Sequence, residues 1–509
     1  MRCRRAGSDV PGRMAAKQPA AELPPGRKCS PGRMAAKQPA AALPPGRKCS
    51  PARTKRKRNK TYKVKSMKKA ILILLVALLY LPLAGQDYPP ILSMEERVEQ
   101  YNKNLEWKLD NVLPDIMRRE GLEMWLIICF ENDTDPVYQT MNTWPGDNAR
   151  RLSILIFHDS DEGFKKLSAT WHGSYASGYM YENIFTDRSN GAQGQFETVA
   201  EYIRKTAPEN IGINYDNRVI DDFTHVNGLS HFHYEKLYNA LDRKYRERLV
   251  SAKDVAIGWY ETRTPWEVSF YKTMCILTHE LIKEFYSNTL IIPDVSNRND
   301  VRWWIVEKIK SMGLEAWFHP SLDIIRSPEN IEKYGKDDII RRGDLLHCDV
   351  GISYMGLTTD MQHLAYVCET DEDDAPQGLK DVYKKGLRFQ QITMEEMIEG
   401  RTGNEILVKS LERGRVEGLQ PVQYCHPINY FGHGSGMTIG RTEEQEFLPG
   451  SGEHPLYNNT TYALEFNVTG RVPEWDNTEV TMGFEDDMIF IDGKARLIDG
   501  YPEQLYIIR

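Results

Sequence analysis

The sequence predicts an α+β protein of two domains, an α/β N-terminal part followed by antiparallel strands covered by long helices. Three observations carry this. Short apolar runs such as Met124–Phe130, Leu152–Phe157 and Ile211–Tyr215 alternate with helical stretches from about residue 90 to 258, the pattern of an α/β layer. Two apolar runs flank Tyr354-Met355-Gly356 and read as an antiparallel hairpin over residues 344–367. Two long helical patterns precede that hairpin. The 509 residues, 41% hydrophobic and 27% charged, suffice for two domains of ordinary size.

Residues 1–66 stand apart. They hold a tandem repeat, Pro11–Ser30 and Pro31–Ser50, that differs only at Glu22 against Ala42, followed by the basic run 53–60. So much Pro, Gly, Ala, Lys and Arg cannot bury a core. Two readings stand: a basic tail for a nucleic acid or a membrane surface, and a disordered segment or leader read into the frame. The second is favoured, because Met67-Lys68-Lys69, the apolar stretch from Ala70 and the small residues before Gln86 form a signal peptide over 67–85. That stretch is short for a membrane span of about 20 residues. The expectation is therefore export to a periplasm or secretion, a mature chain starting near Gln86 and no stable span after cleavage, with an anchored form as the alternative.

Ser93-Met-Glu-Glu96 is a capping box that opens a helix to about Arg119, interrupted near Pro114. The α/β domain spans about 90–258. Trp125, Trp144, Trp171 and Tyr179 are read mainly as aromatic core rather than as the lining of a mouth. Past a boundary near 256–263, Pro265 begins a helix running to about Ser287, and a second runs from Val301 to Met312 before Gly313. Both are expected to cover the sheet of the domain 263–509.

That domain carries Asp349, Asp360, His433, Glu465 and Glu485. On the hairpin Asp349 and Asp360 are expected to lie opposite each other, with Cβ atoms about 5 Å apart. Two carboxylates that close repel unless a cation sits between them. Glu465 falls mid-strand in Tyr462–Val468 and Glu485 opens the apolar run to Ile491. Buried carboxylates there need a partner. His433 sits between Gly432 and Gly434, which permit close backbone approach. Four carboxylates and a neutral imidazole balance two divalent ions of the Mn, Co or Zn type, and such a pair activates water and polarises a carbonyl.

The spacing of eleven between Asp349 and Asp360, the Gly432-His433-Gly434 loop, Leu464-Glu465, Gly483-Phe484-Glu485-Asp486-Asp487 and Arg263-Thr264-Pro265-Trp266-Glu267-Val268 together resemble the creatinase/aminopeptidase metallopeptidase family. The resemblance covers 263–509. It implies a pita-bread catalytic domain, a curved antiparallel sheet covered by helices, behind a creatinase-type α/β N-terminal domain. It also implies a homodimer, two metal ions on the five residues, and cleavage of small peptides of the aminopeptidase or Xaa-Pro type. The mechanism it implies is attack by a metal-bridging hydroxide, with Glu465 relaying the proton.

Proline-specific members usually carry further histidines where this chain has Asn429, Gly440 and Glu332, and a proline where it has Phe466. His426 is a catalytic candidate, and His319, Arg441 and His454 are substrate-binding candidates. Their bland readings are a loop histidine, a surface turn and a solvated charge cluster. A second function is kept open on this ground, a pita-bread relative without peptidase activity that binds a ligand or breaks another C–N or C–S bond. His363 alternates away from Asp360 and is read as packing.

Net charge is −7, and with the basic tail set aside the rest is more acidic still, which gives no support to nucleic-acid binding by the folded part. The five cysteines beyond Gln86 are odd in number and lack paired spacing, so they form no disulfide scaffold.

Overall fold

The computed structural model describes residues 88–144, 149–171, 179–216 and 226–509. The repeat tail and the signal peptide lie outside the described residues. Among those described, no helix is long and apolar enough to cross a membrane.

The N-terminal domain begins with the helix Met94–Asn111, capped by Ser93 and Glu96 in a reciprocal box, and Leu113–Arg119 follows with Pro114 in its first turn. Its sheet is built from β1 (Met124–Cys129), β2 (Ser153–Ser160), β3 (Gly163–Ser168), β4 (Glu182–Asn183), β5 (Ile211–Ile213) and β6 (Leu249–Ser251), in the order β4-β3-β2-β1-β5-β6. β1 pairs antiparallel with β2 and parallel with β5. All six residues of β1 are buried, which fits a central strand covered on both faces. Trp125 is wholly buried in this core, whereas Tyr179 is exposed.

In the C-terminal domain the helix Pro265–Phe285 opens with Thr264 and Glu267 in a second capping box, and Arg298–Ser311 follows it. The latter starts three residues before the expected Val301, because Asn297 accepts from the N–H of Asn299 and caps it. The sheet is segmented. β7 (Glu315–Ala316), β8 (Ser321–Ile325), β9 (Leu345–Val350), β10 (Ile352–Tyr354), β11 (Leu357–Thr358) and β12 (Met361–Val367) form its first part. β13 (Pro421–Gln423), β14 (His426–Pro427), β15 (Thr460–Ala463), β16 (Phe466–Val472), β17 (Thr478–Phe484), β18 (Asp487–Ile491), β19 (Lys494–Leu497) and β20 (Tyr506–Ile508) complete it. The strands group as β11-β10-β7, β20-β12-β9-β8, β13-β16-β17 and β14-β15-β18-β19, almost wholly antiparallel, with helices packed against them. This is the pita-bread fold.

The predicted hairpin is present, closed by Met355 and Gly356, both at positive φ as a two-residue turn of this twist requires. Its register differs from the expected one. Gln362, not Asp360, pairs with Asp349, and Asp360 falls in the break between β11 and β12, so the two aspartates sit diagonally. Glu465 likewise lies between β15 and β16, and Glu485 between β17 and β18. Strand ends free a carboxylate from the strict alternation of a ladder, which is why each can turn toward a common point.

A buried polar group joins the two domains. Lys108 Nζ lies 3.5 Å from Glu267 and 3.2 Å from the Tyr430 hydroxyl, and Arg263 lies 3.7 Å from Glu267. Burial lowers the Lys108 ammonium from 10.5 to about 7 despite the pull of Glu267. Between those values the unfolded chain binds more protons than the native one, so this group makes stability rise with pH there. Melting curves from pH 7 to 10 are expected to show wild type gaining on Lys108→Met; a constant difference would contradict the assignment.

Candidate metal centre

Four carboxylates and one imidazole converge where the strands break. His426 Nε2 lies 3.5 Å from Glu485 Oε1, 3.8 Å from Asp360 Oδ2 and 3.8 Å from Glu465 Oε2. Three overlapping groups of donor atoms form around it: Asp349 with Asp360 and Glu485, His426 with Glu465 and Glu485, and Asp360 with His426 and His433. Glu485, Asp360 and His426 are each shared by two of these groups.

The structure thus brings all five sequence-predicted ligands together and sets His426 among them. His426 is fixed by β14, whose Ala463 pairing places it beside the Leu464-Glu465 break. His433 is exposed at the rim, its ring 4.6 Å from that of His426 and 5.4 Å from Trp317. The glycines beside it serve close approach rather than unusual dihedrals. A Cβ on Gly432 would fall 2.3 Å from the Trp317 ring, and one on Gly434 would fall 2.3 Å from the Asn429 amide.

Among the described residues no lysine or arginine forms a salt bridge with these carboxylates, and His426 is the basic group beside them. Asp349 Oδ1, Asp360 Oδ1 and Glu485 Oε1 are buried without a hydrogen-bond partner. Burial, then the charges of Glu485, Asp349 and Glu465, hold Asp360 well above the usual carboxylate range. Burial also raises Asp349 to about 6, and burial with neighbouring carboxylates raises Glu465 and Glu485. Orphaned, crowded, oxygen-rich donors beside imidazole fit divalent transition-metal ions.

Gln362 was not singled out from the sequence, although alternation from Asp360 puts it on the same face. Its amide donates to Glu465 Oε1 at 2.5 Å and to Glu485 Oε2 at 2.8 Å, and its oxygen meets His347 Nε2 at 2.9 Å. One oxygen of each glutamate is thereby held, and the other faces His426. A Cβ on Gly483 would strike both His347 and Gln362, so that position needs glycine. Partners that orient ligands are worth about 10–100-fold in metal affinity. Gln362→Ala is expected to weaken ion binding by that factor in a chelator competition; unchanged affinity would show that the amide does not orient the pair.

The substrate candidates lie elsewhere. His319 is exposed and packs edge-on to Trp303, with Arg302 3.3 Å away. Arg441 closes a turn with Glu444, and its carbonyl accepts from Gln445. His454 Nε2 meets Glu261 Oε2 at 3.0 Å. Burial lowers the His454 imidazole, but the Glu261 charge and hydrogen bond outweigh it and raise it. Asn429, where a histidine was expected, is buried and ties the loop down: its side chain donates to Ser435 O and accepts from Phe431 N. The five described cysteines are buried and free.

Residues 270–492 match the family model of metallopeptidase family M24. Among solved structures the chain is similar to an X-Pro aminopeptidase from Thermotoga maritima MSB8, at 14% identity and a TM-score of 0.54, covering 77% of this chain and 99% of that one. It is also similar to an Xaa-Pro dipeptidase from Bacillus anthracis, at 15% identity and a TM-score of 0.50, covering 81% and 99%. At such identities the likeness shows the fold, which includes the N-terminal domain. No curated protein sequence matches the chain. All five ligand candidates fall inside the matched span, residues 270–492, so the metallopeptidase family M24 match and the candidate metal centre lie in the same C-terminal domain.

Proposed function

We propose that this protein is a dinuclear metal-dependent peptidase that releases an N-terminal residue from small peptides, including peptides with proline in the second position. The observation that carries this is the convergence of Asp360, Glu465 and Glu485 on His426, with Asp349 grouped beside Asp360 and Glu485 and orphaned oxygens on Asp349, Asp360 and Glu485. Asp349, Asp360, His433, Glu465 and Glu485 would hold two ions of the Mn, Co or Zn class, with His426 within reach of both. Bound there, the ions supply Lewis-acid polarisation of the scissile carbonyl and an activated water.

The chain's own residues do the rest. Glu465, half-buried and held through one oxygen by Gln362, turns its other oxygen toward His426, where it would take and return a proton. His426, buried between three carboxylates, is the imidazole placed to donate to the developing oxyanion. General acid–base help of this kind contributes about 10² to 10⁴ in rate. Trp317 packs edge-on against His433 on one side of the site.

In this reading the mature chain starts near Gln86, is exported and works as a homodimer. The test is release of free amino acids from a panel of dipeptides and Xaa-Pro peptides, by the metal-reloaded chain from Gln86 onward. Turnover supports the reading and its preference names the substrate.

A second reading, a relative that uses this cavity for ligand binding or other bond cleavage, is favoured by Asn429 and Gly440. Asn429 is committed to loop hydrogen bonds, and Gly440 has no side chain to offer. Ion binding without turnover of any peptide in the panel would select it.

A further inference from the structure

His363 and His279 form a cluster that the pair of ions does not use. His363 is on β12 but faces away from Asp360 and Gln362, and His279 comes from the helix Pro265–Phe285. Both rings turn to one oxygen of Asp486, the residue after Glu485. His279 Nε2 lies 2.8 Å from Asp486 Oδ2 and His363 Nε2 lies 3.4 Å from it. The three donor atoms are all within 4.8 Å of one another.

We propose that His279, His363 and Asp486 bind a third metal ion, of the zinc class, separate from the catalytic pair. Four features support it. His363 is 1% exposed, its Nδ1 has no hydrogen-bond partner and its Nε2 meets only Asp486 Oδ2, while the buried Oδ1 of Asp486 has none. Asp499 Oδ2 lies 3.0 Å from His279 Nδ1, so it accepts the N–H of the ring nitrogen turned away from the cluster. That outer carboxylate is the partner a metal-bound histidine usually has, fixing the tautomer that leaves Nε2 as the ligand.

Charge is the third. Asp486 and Asp499 carry two negative charges; without an ion a protonated His279 between them balances one, and a divalent ion with two neutral imidazoles would balance both. The fourth is geometry. Tetrahedral bonds of about 2.0–2.2 Å put ligand atoms about 3.4 Å apart, which is the spacing of His363 and Asp486. His279 is closer to Asp486 than that, at hydrogen-bond distance, and the competing arrangement is direct donation from Nε2–H to the carboxylate. Two imidazoles and a carboxylate suit zinc, with water completing the shell. The ion would fasten the helix to the link that carries Glu485, a structural role behind the pair.

The experiment counts zinc per chain after chelation, reloading with Zn²⁺ alone and dialysis. It uses wild type, Asp360→Asn/Glu485→Gln and His279→Gln/His363→Gln, each confirmed as folded. The expected counts are three, one and two. If the double histidine variant does not fold, Asp499→Asn replaces it, and one of three zinc affinities is expected to fall about 10–100-fold with the other two unchanged. A wild-type count of two with none left in Asp360→Asn/Glu485→Gln overturns the third site and leaves the pair standing. A count of one in both proteins keeps the third site and removes the pair. Three equal affinities in wild type and Asp499→Asn overturn it as well.

Discussion

Asp360→Asn is expected to abolish turnover, by at least about 10³-fold in kcat/KM, while making the metal-free protein more stable at neutral and alkaline pH. The loss follows from removing a ligand whose ion contributes several kcal/mol of charge stabilisation in the transition state. The gain follows from crowding. Asp360 is buried among Glu485, Asp349 and Glu465, which with burial hold its carboxyl well above the ordinary value of 3.8. A carboxyl raised in the fold binds protons more tightly in the native state. Its contribution to stability is therefore full below the ordinary value and is lost as pH rises toward the folded one.

Asp349, raised to about 6, loses its own contribution between about pH 4 and 6 in both proteins, so the difference between them comes from Asp360 alone and opens as pH rises above 3.8. The neutral amide has no proton to lose, so wild type and variant are expected to melt together near pH 4 and to separate as pH rises. Added metal reverses the order. An ion at 100 times its Kd stabilises by about 2.7 kcal/mol, so the metal-induced shift is expected to be larger in wild type than in the variant. Equal metal-induced shifts in the two proteins would remove Asp360 from the ligand set.

His426→Ala is expected to have the second largest effect, a fall of about 10² to 10⁴ in kcat/KM that added metal does not rescue. Its imidazole is buried with three carboxylates within 3.8 Å, the position that the proposed role in proton transfer requires. His433 is exposed at the rim and joins only the group with Asp360 and His426. His433→Ala is therefore expected to weaken ion binding and to recover activity at higher metal concentration. Activity against added Mn²⁺ for the two variants decides this, and full activity in His426→Ala would return that histidine to the role of a buried loop residue.

Much of this was legible in the residues. The capping boxes at Ser93 and Thr264 mark helix starts because a side-chain oxygen and a glutamate at fixed spacing satisfy the free N–H groups there. The hairpin followed from two apolar runs about a Gly-containing turn, and the five ligand candidates from four carboxylates in apolar strands and a histidine between glycines. What escaped depends on register. Strand breaks at Asp360, Glu465 and Glu485 are set by how segments of the sheet meet, so Gln362 rather than Asp360 came to face Asp349. His426 was legible as a histidine but not as the centre of the cluster, since its place depends on β14 pairing with β15 across more than thirty residues of loop. His363 was read as packing on correct alternation. Its convergence with His279, 84 positions upstream, required the tertiary fold.

The most direct test of the central claim joins ion count to turnover in a single titration. Metal-free protein from Gln86 onward is given Mn²⁺ in stoichiometric steps, with release of free amino acid from an Xaa-Pro peptide and bound metal followed together, beside Asp360→Asn/Glu485→Gln. The account predicts turnover that appears as two ions fill sites absent from the variant. Full turnover in the metal-free chain, or equal ion binding by the variant, would contradict it.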